Sequence, residues 1–255
     1  MEDPPVNLHV FAVLFAIAII HPIFTLTRIF AQVLAQRVNP PGGFPVNYIG
    51  LDFVVLTYLV LVAILGGLIY AALYLGKKVG LGAPLLEGWT KGEPVRDRAL
   101  SALKIALAVG LGVAMAKYLL DLLVFSPFVP ATLSQWGQAP LPFLLPIPFQ
   151  QGIGDEIVSR LFWMTVIVWI IWKIRGSGNE PLGGPTYWAC ILMAGLISIP
   201  GLMLSGTPGL VILQYAVLIL AGAIPFGWLY WKKGIESALV AHFTSSVILV
   251  LLSLF

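Results

Sequence analysis

Two acidic residues and an arginine open one of the most apolar stretches of the chain, in the order Asp155, Glu156 and Arg160. Ionisable groups beside hydrocarbon usually pair with each other, line a wet cavity or take part in chemistry. Residues four apart share a face of an α-helix, so Glu156 and Arg160 can form an ion pair, whereas Asp155 projects from a different side. A structural ion pair explains one acid and the arginine. The second acid favours a functional site, and the sequence leaves both interpretations open.

A second polar group lies in the last apolar stretch, where His242 and Ser246 are again four residues apart. Small polar residues commonly form hydrogen bonds between membrane helices, and this is the alternative to a catalytic role. His21 and Arg28 in the first apolar stretch are seven residues apart and share a face. They could contact the two acids or lipid headgroups.

Other charged residues have structural explanations. Lys117 and Asp121 are four residues apart and are expected to form a structural pair. Asp52 and Glu236 fall at predicted helix starts, where an acid complements the helix dipole.

The composition indicates which elements must position these groups. The chain has 255 residues, of which 59% are hydrophobic and 10% charged, and its mean hydropathy is +0.97. A soluble surface alone would need about 25–35% charged residues. The sequence therefore predicts a single integral membrane domain over residues 1–255. The net charge of +3 does not indicate nucleic acid, because most basic residues lie between apolar stretches. Three scattered histidines and one cysteine predict neither a metal site nor a cofactor, and exclude an intramolecular disulfide.

A membrane-spanning helix needs about 20 mainly apolar residues. Closed helices are expected because lipid cannot satisfy free backbone groups. The sequence predicts an all-α polytopic bundle of seven spans: His9–Val33, Leu51–Leu75, Ala99–Phe125, Ile153–Trp172, Tyr187–Leu204, Gly209–Trp231 and Ser237–Phe255.

The charges of the connecting loops predict the orientation. The loops after predicted spans two, four and six carry basic residues, whereas the loops of the other side carry only Arg37. Cytoplasmic loops are enriched in lysine and arginine, so the N-terminus is expected in the cytoplasm and the C-terminus outside. The basic residues are Lys77, Lys78, Lys91, Arg96, Arg98, Lys173, Arg175, Lys232 and Lys233.

Two connecting segments are too apolar for ordinary loops. Residues 80–89 are broken by glycine and proline and are expected to lie along the cytoplasmic interface, anchored by Trp89. Residues 126–151 contain six prolines among many apolar side chains. They are too proline-rich for a regular helix, so a membrane-embedded or re-entrant segment leading into Asp155 is expected.

The two polar groups together resemble the motifs of the CAAX protease and bacteriocin-processing (CPBP) family of intramembrane endopeptidases. Asp155-Glu156-x-x-x-Arg160 resembles the first motif, with aspartate in place of the usual first glutamate. His242-x-x-x-Ser246 resembles the third motif, with serine as the final residue. The resemblance covers about residues 80–255, including 80–87 and 227–234, and implies a CPBP-type helical bundle.

The resemblance also implies roles for these residues, with one departure. The acid pair Asp155 and Glu156 would activate water with Arg160 as partner, and His242 and Ser246 would stabilise the oxyanion. The polar groups of spans four and seven are therefore expected to converge on one cavity, where they satisfy one another, and span five is expected to form part of its wall. The histidine of the second motif, which orients the water in the family, is replaced by Pro200 in predicted span five. The loss of an orienting partner in such a unit commonly costs several orders of magnitude in rate. His21 is a candidate replacement from span one.

Two functions therefore remain open. The first is an intramembrane endopeptidase that hydrolyses peptide bonds of a membrane-embedded peptide or protein. The second is a non-catalytic membrane subunit or scaffold, in which the polar cluster binds a partner helix, lipid or cofactor within a larger complex. In both cases membrane lipids are expected partners, and a prokaryotic plasma membrane is the expected location.

Overall fold

Seven helical segments of the protein are long and apolar enough to cross a membrane. The computed structural model describes residues 6–26, 51–129, 139, 141–176 and 182–254, and this part of the chain is helical without strands. The prediction of an all-α polytopic bundle of about seven spans is therefore confirmed. The spans are Leu8–Leu26, Phe53–Val79, Arg96–Phe125, Ile147–Ile174, Gly184–Leu204, Gly209–Lys233 and Ile235–Ser253.

Span four, which carries the two acids, is not a regular α-helix. It begins with a short α-helical turn at Ile147–Phe149, continues as a π-helix over Gln150–Met164, and ends as an α-helix over Thr165–Ile174. The prediction of α-helical geometry around Asp155 was wrong, because the backbone here bonds from residue i to i+5. Since π-helical turns often occur at functional sites, this stretch marks the polar cluster as unusual.

The remaining spans contain further irregular positions. Span three changes from an α-helix to a π-helix near its end, and span five is interrupted before Pro200, which lies in the first turn of the second piece. Proline is suited to a first turn because its missing N–H would have no helical partner there. The helices are Leu8–Ala18 followed by 20–26, Leu51–Val79, Arg96–Leu119, Leu120–Phe125, Gly184–Leu196, Ile199–Leu204, Gly209–Lys233 and Ile235–Ser253.

Both apolar connecting segments form short helices. Pro84–Thr90 follows span two, with Trp89 62% exposed as an interfacial anchor requires. Leu141–Leu144 precedes span four. Leu144 and Ile147 are buried against Val250 of span seven, which supports the expected embedded segment. Residues 130–138 of this segment lie outside the described residues.

Span seven is the central element of the packing. It contacts spans three, four and six, and half of its most apolar window is buried. Residues from all seven spans contribute to one hydrophobic core cluster. The single-domain assignment to residues 1–255 stays a prediction, because part of the chain is outside the described ranges.

A contact between spans four and six shows how the polar residues of spans four and seven come to one level. The hydroxyl groups of Thr165 in span four and Tyr230 in span six share a buried hydrogen bond of 2.6 Å. From that level, Glu156 and His242 each lie only a few helical turns along their spans. Span four continues from Thr165 to Ile174, whereas span six ends at Lys233, so the end of span four extends past the turn.

Candidate functional site

Glu156 is the centre of a buried charge cluster. Its Oε1 lies 2.8 Å from Nδ1 of His242 and 3.3 Å from Nη1 of Arg160. The carboxylate side chain is 0% exposed, and the other two side chains are each 8% exposed. The predicted Glu156–Arg160 pair and the predicted convergence of spans four and seven are both confirmed. A buried charge is tolerable when it is paired in this way.

The hydrogen bond to Glu156 determines the state of the His242 ring. An ionised carboxylate only accepts hydrogen bonds, so His242 donates through Nδ1–H. In a neutral ring this leaves Nε2 as an acceptor, and the structure gives Nε2 no partner among the described residues. The ring stacks on Phe226 of span six, with centroids 4.6 Å apart. His242 is therefore held on two sides and presents one free nitrogen.

Two glycines bring neighbouring backbones against span seven on either side of His242. A β-carbon at Gly110 of span three would lie 2.5 Å from the carbonyl oxygen of Ala241. A β-carbon at Gly152 of span four would lie 2.6 Å from Cα of Phe243. These contacts involve backbone atoms that cannot move independently, so glycine is required at both positions for His242 to reach Glu156.

A cavity of about 480 Å³ lies beside this cluster, between spans three, four, five and six. Asp155 is exposed to it, whereas Glu156 is turned away toward His242 and Arg160. Much of the remaining lining is apolar and comes from span six, including Leu218, Ile219 and Phe226. The two acids thus differ in role: Glu156 organises the cluster, and Asp155 faces the space that a ligand or water can enter.

His21 of span one lines the same cavity. Its Nδ1 is buried and has no hydrogen-bond partner in the described part of the chain. The ring packs on the backbone of Gly154, where any β-carbon would overlap it, and it interacts electrostatically with Asp155. His21 and Asp155 thus line the same cavity, and the expectation that His21 contacts the acids of span four stays a prediction. Arg28 lies outside the described residues.

Lys117 and Asp121 do not form the expected structural pair. Oδ1 of Asp121 accepts a hydrogen bond of 2.7 Å from Nε2 of Gln214, a buried residue of span six. Lys117 lines the cavity beside Gly222 and has no ion pair with any described residue. The sequence interpretation missed Gln214, although a single amide in an apolar span is a signal of interhelical hydrogen bonding.

Ser246 lies away from the cavity. It is 1% exposed, one helical turn beyond His242, and its hydroxyl donates a long hydrogen bond of 3.5 Å to Oε1 of Gln151. It is not part of the lining that His242 and Asp155 share. The predicted convergence of four polar residues is therefore confirmed for Glu156, Arg160 and His242, while Ser246 contacts the adjacent turn of span four.

Span five forms part of the cavity wall through Gly195, Ile197 and Ser198. This matches the expected position of the wall, although Pro200 itself is not among the lining residues. No group of three or more histidine, cysteine or acidic side chains with metal-binding geometry occurs among the described residues.

The fold and the site define the class of the protein as a polytopic α-helical membrane protein with a buried charge cluster beside an intramembrane cavity. Comparison with known proteins finds no matching family model, curated protein or solved structure.

Proposed function

We propose that the protein is an intramembrane hydrolase of the CPBP type, which cuts peptide bonds of a membrane-embedded peptide or protein. The observation that carries the proposal is the different placement of the two acids. Glu156 is hydrogen-bonded to His242 and ion-paired with Arg160, whereas Asp155 faces the cavity near a histidine with an unsatisfied nitrogen. A purely structural ion pair does not require this second arrangement.

Asp155 is the proposed general base. A cavity water donates a proton to its carboxylate while the water oxygen attacks the carbonyl carbon of the peptide bond. His21, which lines the same cavity, is the proposed replacement for the histidine that span five lacks. When the tetrahedral intermediate collapses, the C–N bond breaks and the protonated Asp155 returns the proton to the leaving amine. General acid–base catalysis of this kind contributes about 10²–10⁴-fold to rate.

Stabilisation of the oxyanion differs from what the resemblance implies. Ser246 contacts Gln151 and does not line the cavity. His242 donates its Nδ1–H to Glu156, so it can donate to an oxyanion only through a protonated Nε2. The ammonium group of Lys117 is a further cationic donor on the cavity lining. Positive charge placed where negative charge develops is commonly the largest single contribution to catalysis.

The test uses purified protein in liposomes with a membrane-anchored peptide as substrate. Asp155→Asn should reduce cleavage by about 100-fold or more, and His21→Ala should reduce kcat more than it changes KM. Asp97→Asn is the matched control, because Asp97 is an exposed acid in the first turn of span three. Wild-type cleavage that survives unchanged in Asp155→Asn would contradict the proposed mechanism.

The alternative function is that of a non-catalytic subunit or scaffold of a larger membrane complex. The position of Ser246 favours it, because the resemblance implies an oxyanion donor and the serine lies off the cavity. In this case the cavity would hold a partner helix, lipid or cofactor. Absence of cleavage by the wild-type protein, together with co-purification of a partner that depends on Asp155 or Lys117, would favour this function.

The proposed location is a prokaryotic plasma membrane, with the N-terminus in the cytoplasm and the C-terminus outside. The loop after span two, the end of span four and the turn after span six all carry basic residues, as cytoplasmic loops do. Reporter fusions after Gly178 and after Phe255 should report opposite sides of the membrane. The same side for both would contradict the orientation.

A further inference from the structure

A second pocket lies between the ends of spans two and six. Each of these spans ends in two lysines followed closely by a glycine in the left-handed region, Gly80 with φ 72° and Gly234 with φ 94°. Only glycine adopts this region readily, so both glycines end their helices and reverse the chain. The pocket between them has a volume of about 410 Å³.

The lining of this pocket is basic and aromatic. Lys77, Lys232 and Lys233 contribute three positive charges and Glu87 contributes one negative charge, which gives a net charge of +2 for these four residues. Lys232 and Lys233 are exposed, and the Lys232 ammonium lies 3.5 Å from the centroid of the Trp231 ring. An anion with an apolar part would find complementary charge and an aromatic surface in this pocket.

The pocket is held in shape by contacts from span seven. Oε1 of Glu236 accepts hydrogen bonds of 2.9 Å from the backbone N–H groups of Leu85 and Leu86, at the start of the loop helix Pro84–Thr90. The N–H of Ile235 donates to the carbonyl of Gly82 at 3.0 Å. Because these bonds fix both sides of the pocket, a ligand would not have to order it first.

Topology and helix dipoles do not account for the whole arrangement. Lysines at a helix C-terminus complement the dipole, and basic residues on one side of the membrane set the orientation. Span four satisfies both requirements with Lys173 and Arg175, and neither residue lines this pocket. Neither requirement explains why Lys77, Lys232 and Lys233 line one pocket.

We propose that this pocket binds the phosphate headgroup of an anionic phospholipid. Basic pockets at the ends of membrane helices are suited to such headgroups, and a phosphate in this pocket would contact lysines from two spans. The acyl chains of the lipid would remain in the bilayer beside the bundle. The site is separate from the cavity beside Asp155, so the proposal of lipid binding does not depend on whether the protein is a hydrolase.

The experiment measures lipid retention in nanodiscs of phosphatidylcholine that contain a minor fraction of phosphatidylglycerol, by native mass spectrometry. The wild-type protein should retain phosphatidylglycerol preferentially. A Lys232→Gln/Lys233→Gln variant should lose this preference by about 30-fold, because each lysine near a charged surface contributes roughly fivefold. The matched control is Lys173→Gln/Arg175→Gln, which removes the same charge from an exposed helix end outside the pocket.

Three results would overturn the proposal. The first is an equal loss in the control variant, because this would indicate attraction to the whole basic surface. The second is the absence of any preference for phosphatidylglycerol in the wild-type protein. The third is displacement of the lipid by inorganic phosphate in the buffer, which would indicate a site for a free anion.

Discussion

The position of span seven depends on glycine contacts, and Gly152→Ala tests this dependence. The added β-carbon would lie 2.6 Å from Cα and 2.9 Å from the nitrogen of Phe243, whereas ordinary contact begins at 3.4 Å. Span seven would have to retreat by about 0.8 Å, the difference between 3.4 and 2.6 Å. If that shift fell on the 2.8 Å bond between Glu156 and His242, the bond would exceed the range of normal N–H···O geometry.

The expected cost follows from the two consequences of this shift. Overpacking costs about 1–3 kcal/mol, and loss of a hydrogen bond to a charged group costs about 1.5–3 kcal/mol. The free energy of unfolding of Gly152→Ala should therefore fall by roughly 2.5–6 kcal/mol. The measurement is the fraction of protein that stays monodisperse on size-exclusion chromatography after heating or denaturant in detergent.

The control is Gly112→Ala in span three, where an added β-carbon meets nothing within 4 Å. Alanine is favoured over glycine in a helix by about 1 kcal/mol, so this variant should be neutral or slightly stabilised. Gly110→Ala, which would place a β-carbon 2.5 Å from the carbonyl oxygen of Ala241, should behave like Gly152→Ala. If both close-contact variants were as stable as Gly112→Ala, the inferred backbone contacts would be wrong.

Further variants test the individual polar contacts, each by denaturant unfolding in detergent. Glu156→Gln leaves a buried guanidinium without its carboxylate and should destabilise the protein by about 3–5 kcal/mol. The control Glu93→Gln, in an exposed ion pair, should cost under about 1 kcal/mol. Similar losses of stability in the two variants would contradict the buried cluster. Glu236→Ala removes the acceptor of two backbone N–H groups and should cost about 1–3 kcal/mol; accelerated proteolysis of residues 80–90 should accompany it. Tyr230→Phe removes the buried bond to Thr165 and should cost about 1–3 kcal/mol, whereas an unchanged stability would argue against that contact.

The spans and the main ion pair could be predicted because the bilayer imposes simple requirements. A segment that crosses the hydrocarbon must be a long apolar helix. An unpaired charge there is costly, so an ion pair between Glu156 and Arg160 is strongly favoured. The same penalty predicted that His242 would join them, which the 2.8 Å bond to Glu156 confirms. In these cases the cost of placing polar or charged groups in hydrocarbon is larger than any competing contribution to the free energy.

The remaining features depend on free-energy contributions that are similar in size and opposite in sign. The π-helix of span four could not be predicted, because hydropathy does not distinguish i+4 from i+5 backbone bonding. Ser246 and His242 share a helix face, yet the hydroxyl group of Ser246 donates a hydrogen bond to Gln151 and does not face the cavity. Asp121 had two possible partners, and Gln214 of another span bonds to it in place of Lys117. Such choices depend on how closely the backbones approach, which the sequence does not specify.

The unequal lengths of the spans have a consequence for the surrounding bilayer. Span two has 27 residues and span seven has 19, so they measure about 40 Å and 28 Å along their axes. Gly82, just after span two, bonds to Ile235 at the start of span seven, so both spans leave from nearly the same level. Span seven is then barely as long as the hydrocarbon is thick, and the bilayer must thin beside it or the longer spans must tilt. Since span seven carries His242, a mismatch between this span and the host membrane would act on the helix that completes the charge cluster.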